Sequence, residues 1–392
     1  MHEDRELESL AQQLVLDMLP LPGRSGEEGR LVEFVVEKLR QAGVPDSAIQ
    51  HDQVHRRSPL GGQVGNLICK LPGTVRGPRR LLMAHLDTVP LCVGAVPVVR
   101  GNWVVPADKH TALGADDRSG AAVVLFAALE ILRRNLPHPP LTFLWTVQEE
   151  VGLYGARFGQ LGLLGKPRLA FNFDGGSAEK VTVGATGGYR MQIEVQGIAS
   201  HAGVAPEAGV SAITIASLAI AQLHQDGWLG KVAKGNRQGT SNIGVIHGGE
   251  ATNVVTPQVE LRAEARSHNP AFRAQIVRAI EQAFRKAAKS VHNTDGATGK
   301  VAFEGELHYE SFKLPDDDPS VLAAEAAIRA QGGTPYRAIS NGGLDANWMS
   351  ARGIPTATLG AGQCSPHTTG ERLDLSQFHQ GWRLALRLAT GG

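Results

Sequence analysis

The sequence predicts an α/β fold in which a mixed, mostly parallel sheet lies between helices, with a smaller ferredoxin-like α+β module inserted. Three observations carry this expectation. Short apolar runs that read as strands buried on both faces alternate with helical patterns over the first part of the chain. From Tyr189 to about Phe312 the strands alternate instead, as half-exposed strands do. After Lys313 the apolar style of the first part resumes.

Residues 6–19 carry a helical pattern, and 26–42 a second one that Ser25 and Glu28 open as a capping box and Gly43 stops. Strands are expected at 65–70, 80–84, 141–147 and 168–173, with a long helix at 119–135 between the second and third. In the middle of the chain, YRMQIEVQG reads as a strand and 209–223 as an apolar helix. Strands at 241–247 and 258–266, an amphipathic helix at 270–290 and the closing strand VAFEGELHYESF follow. This β-α-β-β-α-β order is that of a four-stranded sheet with two helices on one face. LPDDDPSVLAAEAAIRAQGG and a strand at 356–360 then return to the first style. The expected division is therefore 1–187 and 313–392 as one domain, with 188–312 inserted and hinges near 187–188 and 313–316.

A chain of 392 residues is too long for one ordinary core, which fits two domains. Lys and Arg total 39 against 38 for Asp and Glu, so there is no electrostatic case for nucleic acid or an anionic membrane. A small-molecule partner is expected. Cys69, Cys92 and Cys364 form no C-x-x-C pair and suggest neither a disulfide framework nor a thiolate zinc site. The charged, amphipathic N-terminus is unlike a signal peptide, and the apolar runs are interrupted well before membrane-spanning length. A cytoplasmic location is the expectation.

Side chains of the metal-ligating kinds are scattered over the chain: His85 in LLMAHLDTVP, Asp116 in LGADDRSG, Glu150 in LTFLWTVQEEVG, Asp174 in LAFNFDGG and His367 in TATLGAGQCSPHTTGE. In open α/β sheets, ligands bind beyond the carboxyl ends of the strands. That rule selects His85, Glu149 with Glu150, and Asp174, while His367 trails its strand by one loop. Two histidines and three carboxylates can hold two zinc-like ions if one carboxylate bridges them, and Glu149 can then serve as base.

Each residue also has a plainer reading. His85 and Asp87 form H-x-D, either a turn cap or an imidazole oriented by its neighbour. Asp116 and Asp117 should point apart, one reaching both ions and the other facing the helix start, or they are simply helix-start acids. Glu149 and Glu150 end an apolar strand with diverging side chains, one for metal and one for its water, or they mark a solvated junction. Asp174, freed by Gly175 and Gly176, can be a turn aspartate, and Glu371 could orient His367 or cap the following helix. Their joint occurrence along one sheet edge favours a hydrolase.

The motifs HLDTVP, GADDRSG, QEEVGLYGA, FDGG and PHTTGE, in this order, resemble those of the zinc-dependent peptidases and amidohydrolases of the glutamate carboxypeptidase and aminoacylase family. The resemblance spans essentially the whole chain, and GYRMQIEVQGIASHAGVAPEAGVSAITIA with GGEATNVVTPQVELRAEARS looks most like its peptidase T-like branch. It implies one metal on His85 and Asp174, another on Glu150 and His367, Asp116 bridging them, and a cis peptide between Asp116 and Asp117. It further implies Glu149 as general base, Asp87 as the residue orienting His85, and the inserted module as a lid. In that module His201 would stabilise the oxyanion, and Asn253 and Arg266 would bind substrate, the guanidinium suiting a carboxylate. Without the resemblance these three read as a turn histidine, a turn amide and a surface ion pair.

The cofactors implied are two divalent ions, zinc first, with cobalt or manganese as alternatives. The substrate implied is a short peptide cleaved by an aminopeptidase. A carboxypeptidase or N-acyl amino acid amidohydrolase would use the same chemistry, and a non-catalytic metal-dependent binding protein ranks last because Glu149 is present. A homodimer through the lid is a further expectation from the resemblance.

Overall fold

The computed structural model describes residues 2–391. The chain divides into two compact units, one formed by 1–184 with 313–392 and the other by 185–312.

In the first unit, strands apolar on both faces build the middle of a nine-stranded sheet. Arg80–His85 lies between Leu141–Thr146 and Leu169–Phe173, and Ala357–Leu359 follows the latter, all parallel. The flanks are antiparallel: Leu67–Leu71 pairs with Leu141–Thr146, Ile49–His51 with Leu67–Leu71, and Lys180–Ala185 with Ala357–Leu359. Parallel pairing brings the carboxyl ends of the central strands to one edge, with His85 opposite Thr146 and Leu359 opposite Phe173.

The helix Ala115–Arg133 covers this core and is buried along most of its length. Gly120 permits its close approach, because a Cβ there would fall 1.7 Å from the Phe173 carbonyl oxygen and 2.4 Å from Asp117 Oδ1. Beneath it Phe143, Trp145, Phe171 and Phe173 are fully buried, and the Trp145 indole donates to the Ala121 carbonyl at 3.2 Å. No helix among the described residues is long and apolar enough to cross a membrane.

The second unit is a five-stranded antiparallel sheet in the order Gly230–Lys234, Arg237–Gly248, Gln258–Ser267, Gly187–Gln196, Lys300–Tyr309. Its two helices, Ala212–Gln225 and Pro270–Ser290, pack on each other and on the sheet around Ile193, Leu261, Phe272, Ile276 and Phe284. Ser211 and Asn269 cap them by accepting from Thr214 N and Phe272 N. Four of the strands and both helices follow the ferredoxin-like pattern. The fifth strand, Gly230–Lys234, escaped the sequence reading because its residues are mostly polar and exposed.

Three local expectations are corrected. Ser25 and Glu28 do not form a capping box: the helix runs Gly29–Gln41, Ser25 Oγ donates to Asp87 Oδ2 at 2.6 Å, and Glu28 Oε1 accepts from Gly26 N and Gln148 N. Glu149 and Glu150 do not extend a strand, because it ends at Thr146, Gln148 is left-handed at φ 58°, and a turn closes from Gly152 N to Glu149 O. Finally, a small antiparallel sheet of Pro97–Arg100, Trp103–Pro106, Arg372–Asp374 and Gln363–Cys364 was not foreseen, since two- to four-residue strands carry almost no periodicity.

Trp145→Ala should lower the stability of the first unit by about 3–5 kcal/mol, read from urea unfolding, because the ring fills the layer between sheet and helix.

Candidate metal centre

His85 closes its strand and is buried. Its Nδ1 lies 3.0 Å from the Asp87 carbonyl oxygen, to which Nδ1–H donates, and its Nε2 lies 3.2 Å from Asp116 Oδ1, to which Nε2–H donates when the ring is protonated; loss of that proton frees the Nε2 lone pair. The Asp87 carboxylate sits farther off, at 3.6 Å from Nδ1. It accepts instead from Glu149 N at 2.9 Å, Glu150 N at 3.2 Å and Ser25 Oγ. Asp87 thus orients the imidazole through its backbone and holds the acidic turn through its side chain.

The peptide between Asp116 and Asp117 is cis. The two Asp116 oxygens face different histidines, Oδ1 toward His85 and Oδ2 toward His367 Nε2 at 3.3 Å. Asp117 turns the other way and accepts from His85 N at 3.1 Å and Gly120 N at 3.2 Å. Glu150 meets His367 Nε2 at 2.9 Å. Asp174 follows Phe173, and its Oδ1 accepts from Gln363 Nε2 at 3.1 Å. Ligating atoms of His85, Asp116 and Glu150 lie within 4.8 Å of one another, as do those of His85, Asp117 and Asp174.

Buried negative charge dominates the electrostatics. Burial pushes Glu149, only 8% exposed, well above the usual carboxylate range, with Asp174 and Glu150 adding to the rise against the pull of His85. Burial likewise raises Asp174, and takes Glu150 up to about 7 despite its bond to His367. For Asp116, burial is outweighed by hydrogen bonds from His367 and His85, which hold it below the ordinary value. The same contacts, to Asp116 and then Glu150, raise His367 to about 10. Imidazole nitrogens converging with mutually repelling carboxylates make a donor set suited to a pair of zinc-like divalent cations.

Some buried acids were missed or misassigned from sequence. Asp345, at the start of the helix Asp345–Ala351, reads as an ordinary first-turn acid. Its carboxyl is buried against Thr146 Oγ1 at 2.5 Å, and burial raises it to about 7. Glu28 is raised to about 7 by burial and then by Asp87. Glu371 makes no hydrogen bond to the His367 ring, which meets Asp116 and Glu150, and it does not cap the following helix, whose cap is Asp374; it accepts from Leu113 N, Gly114 N and Asp116 N. A cleft of about 410 Å³ opens beside the centre, bordered by Asp116, Asp174, Lys180, Gly342, Gly343 and Pro366.

In the inserted unit, the structure brings His201 and Asn253 together: His201 bridges to Val254, and Ala202 N donates to Asn253 O at 2.9 Å. Arg266 stands apart from this bridge, on the strand Gln258–Ser267, in a two-bond pair with Glu264 at 3.0 Å each.

The family model described as peptidase family M20/M25/M40 matches residues 81–391. The chain belongs to this family. It is a metal-dependent hydrolase by that membership. Among curated relatives, protein YqjE of Bacillus subtilis is 33% identical over 365 residues, covering 93% of each chain. Carboxypeptidase G2 of Pseudomonas sp. is 30% identical, covering 86% of this chain and 79% of its own. Among solved structures, a Staphylococcus aureus tripeptidase superposes with a TM-score of 0.88 at 30% identity, covering 97% of both chains. The aminopeptidase PepT of Bacillus cereus gives 0.84 at 31% identity, covering 97% of this chain and 98% of that one.

Metal uptake should release protons. His367, raised to about 10, is protonated at neutral pH and must lose that proton to coordinate, so affinity should rise about tenfold per pH unit for each proton displaced. As pH falls through about 7, Glu150 takes up a proton as well and the dependence should steepen. Calorimetry in buffers of different ionisation enthalpy reads the proton count; proton-neutral binding at pH 7 would show that no protonated imidazole is displaced by the metal.

Proposed function

We propose that this chain hydrolyses the peptide bond of short peptides, di- and tripeptides above all, as an aminopeptidase using two divalent ions, most simply zinc. The observation that carries this reading is Asp116, whose two oxygens face two different histidines beside Glu149, a buried acid outside the ligand set. The tripeptidase and PepT neighbours, at 30% and 31% identity over nearly the whole chain, support the choice of substrate.

In this reading His85 and Asp174 would hold one ion and Glu150 and His367 the other, with Asp116 available to both. Two such ions, when bound, supply Lewis-acid polarisation of the scissile carbonyl and lower the pKa of the attacking water. Glu149 accepts the water's proton on its carboxylate and returns it to the departing amine nitrogen. The Asp87 carboxylate fixes the backbone on which Glu149 stands. His201 is assigned to the oxyanion. Asn253 and Arg266 are assigned to substrate, and Arg266 must then exchange Glu264 for a substrate carboxylate. Pairing of two copies through the inserted unit belongs to the same proposal, and light scattering tests it.

A second reading, cleavage from the carboxyl end or of N-acyl amino acids, is favoured by the likeness to carboxypeptidase G2. Free tripeptides should be cleaved and their N-acetylated forms spared; the reverse preference would select the second reading. Glu149→Gln should retain both metals and lose turnover by at least about 100-fold. Near-normal rates in the metal-loaded variant would reject Glu149 as the base.

A further inference from the structure

Glu371 is explained neither by the ligand set nor by the base. It is 2% exposed, and both of its oxygens accept from main-chain N–H groups. Oε2 takes Leu113 N at 2.9 Å and Gly114 N at 2.8 Å, and Oε1 takes Asp116 N at 2.9 Å. These donors form the turn that delivers Asp116. Glu371 itself stands at the base of a hairpin whose strands are Gln363–Cys364 and Arg372–Asp374, and whose loop carries His367. One carboxylate therefore joins two segments 255 residues apart, each at the point where it supplies a candidate ligand.

His367 needs such a tie more than His85 does. Its side chain is 50% exposed, and Ser365 and His367 are both left-handed, at φ 54° and 61°. The loop's own hydrogen bonds, Thr368 Oγ1 to Ser365 O and Gly370 N to Thr368 Oγ1, fix its shape and not its place against the acids. His85, by contrast, is buried at the end of a central strand and held by the Asp87 carbonyl and Asp117. Half of the centre is set by the sheet; the other half hangs on a hairpin whose strands are held by pairing with Trp103–Pro106 and by Gly362 N on Gly176 O, and whose Glu371 ties it directly to the turn that carries Asp116.

We propose that Glu371 is a positioning residue that sets the placement of His367 against Asp116 and so controls the affinity of the metal position formed by Asp116, Glu150 and His367. The inference rests on the two-ion reading above. Only a carboxylate offers two acceptors to three converging N–H groups. A glutamine of the same shape offers one and turns an NH2 toward the other donors. Supporting groups of this kind change metal affinity by about 10–100-fold.

The test titrates metal-depleted wild type, Glu371→Gln and Glu371→Ala with cobalt(II) alone, following the visible absorption and competition with a chromophoric chelator. The melting temperature of each metal-free protein is measured alongside. The variants should bind the first equivalent much as wild type does and the second about 10–100-fold more weakly, with an altered spectrum for that second ion. Glu371→Gln should fold with a metal-free melting temperature lowered by only a few degrees, and it decides the matter if Glu371→Ala does not fold. An unchanged ratio of the two affinities in Glu371→Gln, whether neither falls or both fall together, overturns the role of Glu371 alone. A wild type that binds a single equivalent overturns the two-ion reading and this inference with it.

Discussion

Negative charge gathered at one dry edge of a sheet is the constraint around which the first unit is organised. Parallel pairing of Arg80–His85, Leu141–Thr146 and Leu169–Phe173 drives the chain to turn on the same side three times, and each turn leaves an acid or imidazole there. Carboxylates taken out of water without partners are costly, so each must be answered. The fold answers them in two ways. Acids that face one another, Asp116, Glu150 and Asp174, are met by imidazoles and by an amide. Acids that face outward from that group, Asp87, Asp117, Glu28 and Glu371, are met by main-chain N–H groups or a hydroxyl.

This second ring gives the centre its geometry. Asp87 holds the turn bearing Glu149 and Glu150, and Glu28 holds Gln148 just before it. Asp117 fixes the end of the His85 strand, and Glu371 fixes the approach to Asp116. Glu149, Glu150 and Asp174 can therefore be left partly uncompensated, with raised proton affinities, while the backbone that carries them stays in place. A family whose members act through bound metal needs that combination, because the ligands must converge before the cation is there to gather them.

Much of this was legible in the chain. Central strands declare themselves as apolar runs, and the helix Pro270–Ser290 is bounded by Asn269 with Pro270 at one end and by the loss of periodicity at the other. The ordered motifs pointed to His85, Asp116, Glu150, Asp174 and His367, the strand-end rule independently to His85, Glu150 and Asp174, and the folded chain brings His85, Asp116, Glu150 and His367 within a few ångströms of one another. What stayed hidden was the direction in which a side chain turns. Ser25 and Glu28 satisfy the spacing of a helix cap, yet tertiary partners more than 60 residues away claim both side chains. Glu371 and Asp345 sit in segments whose local pattern suits ordinary caps, and only the folded sheet shows what they touch. The strands of the His367 hairpin, two and three residues long, are below the length at which alternation can be read at all.

The hairpin has a consequence in time as well as in space. A ribosome making this chain delivers His85, Asp116, Glu150 and Asp174 in its first half, then the whole inserted unit, and only afterwards His367 and Glu371. Until that last hairpin can pair with Trp103–Pro106, the nascent protein holds a cluster of acids without the second imidazole. The set of converging acids and imidazoles is thus completed late in synthesis, after the sheet that carries it has had its chance to form.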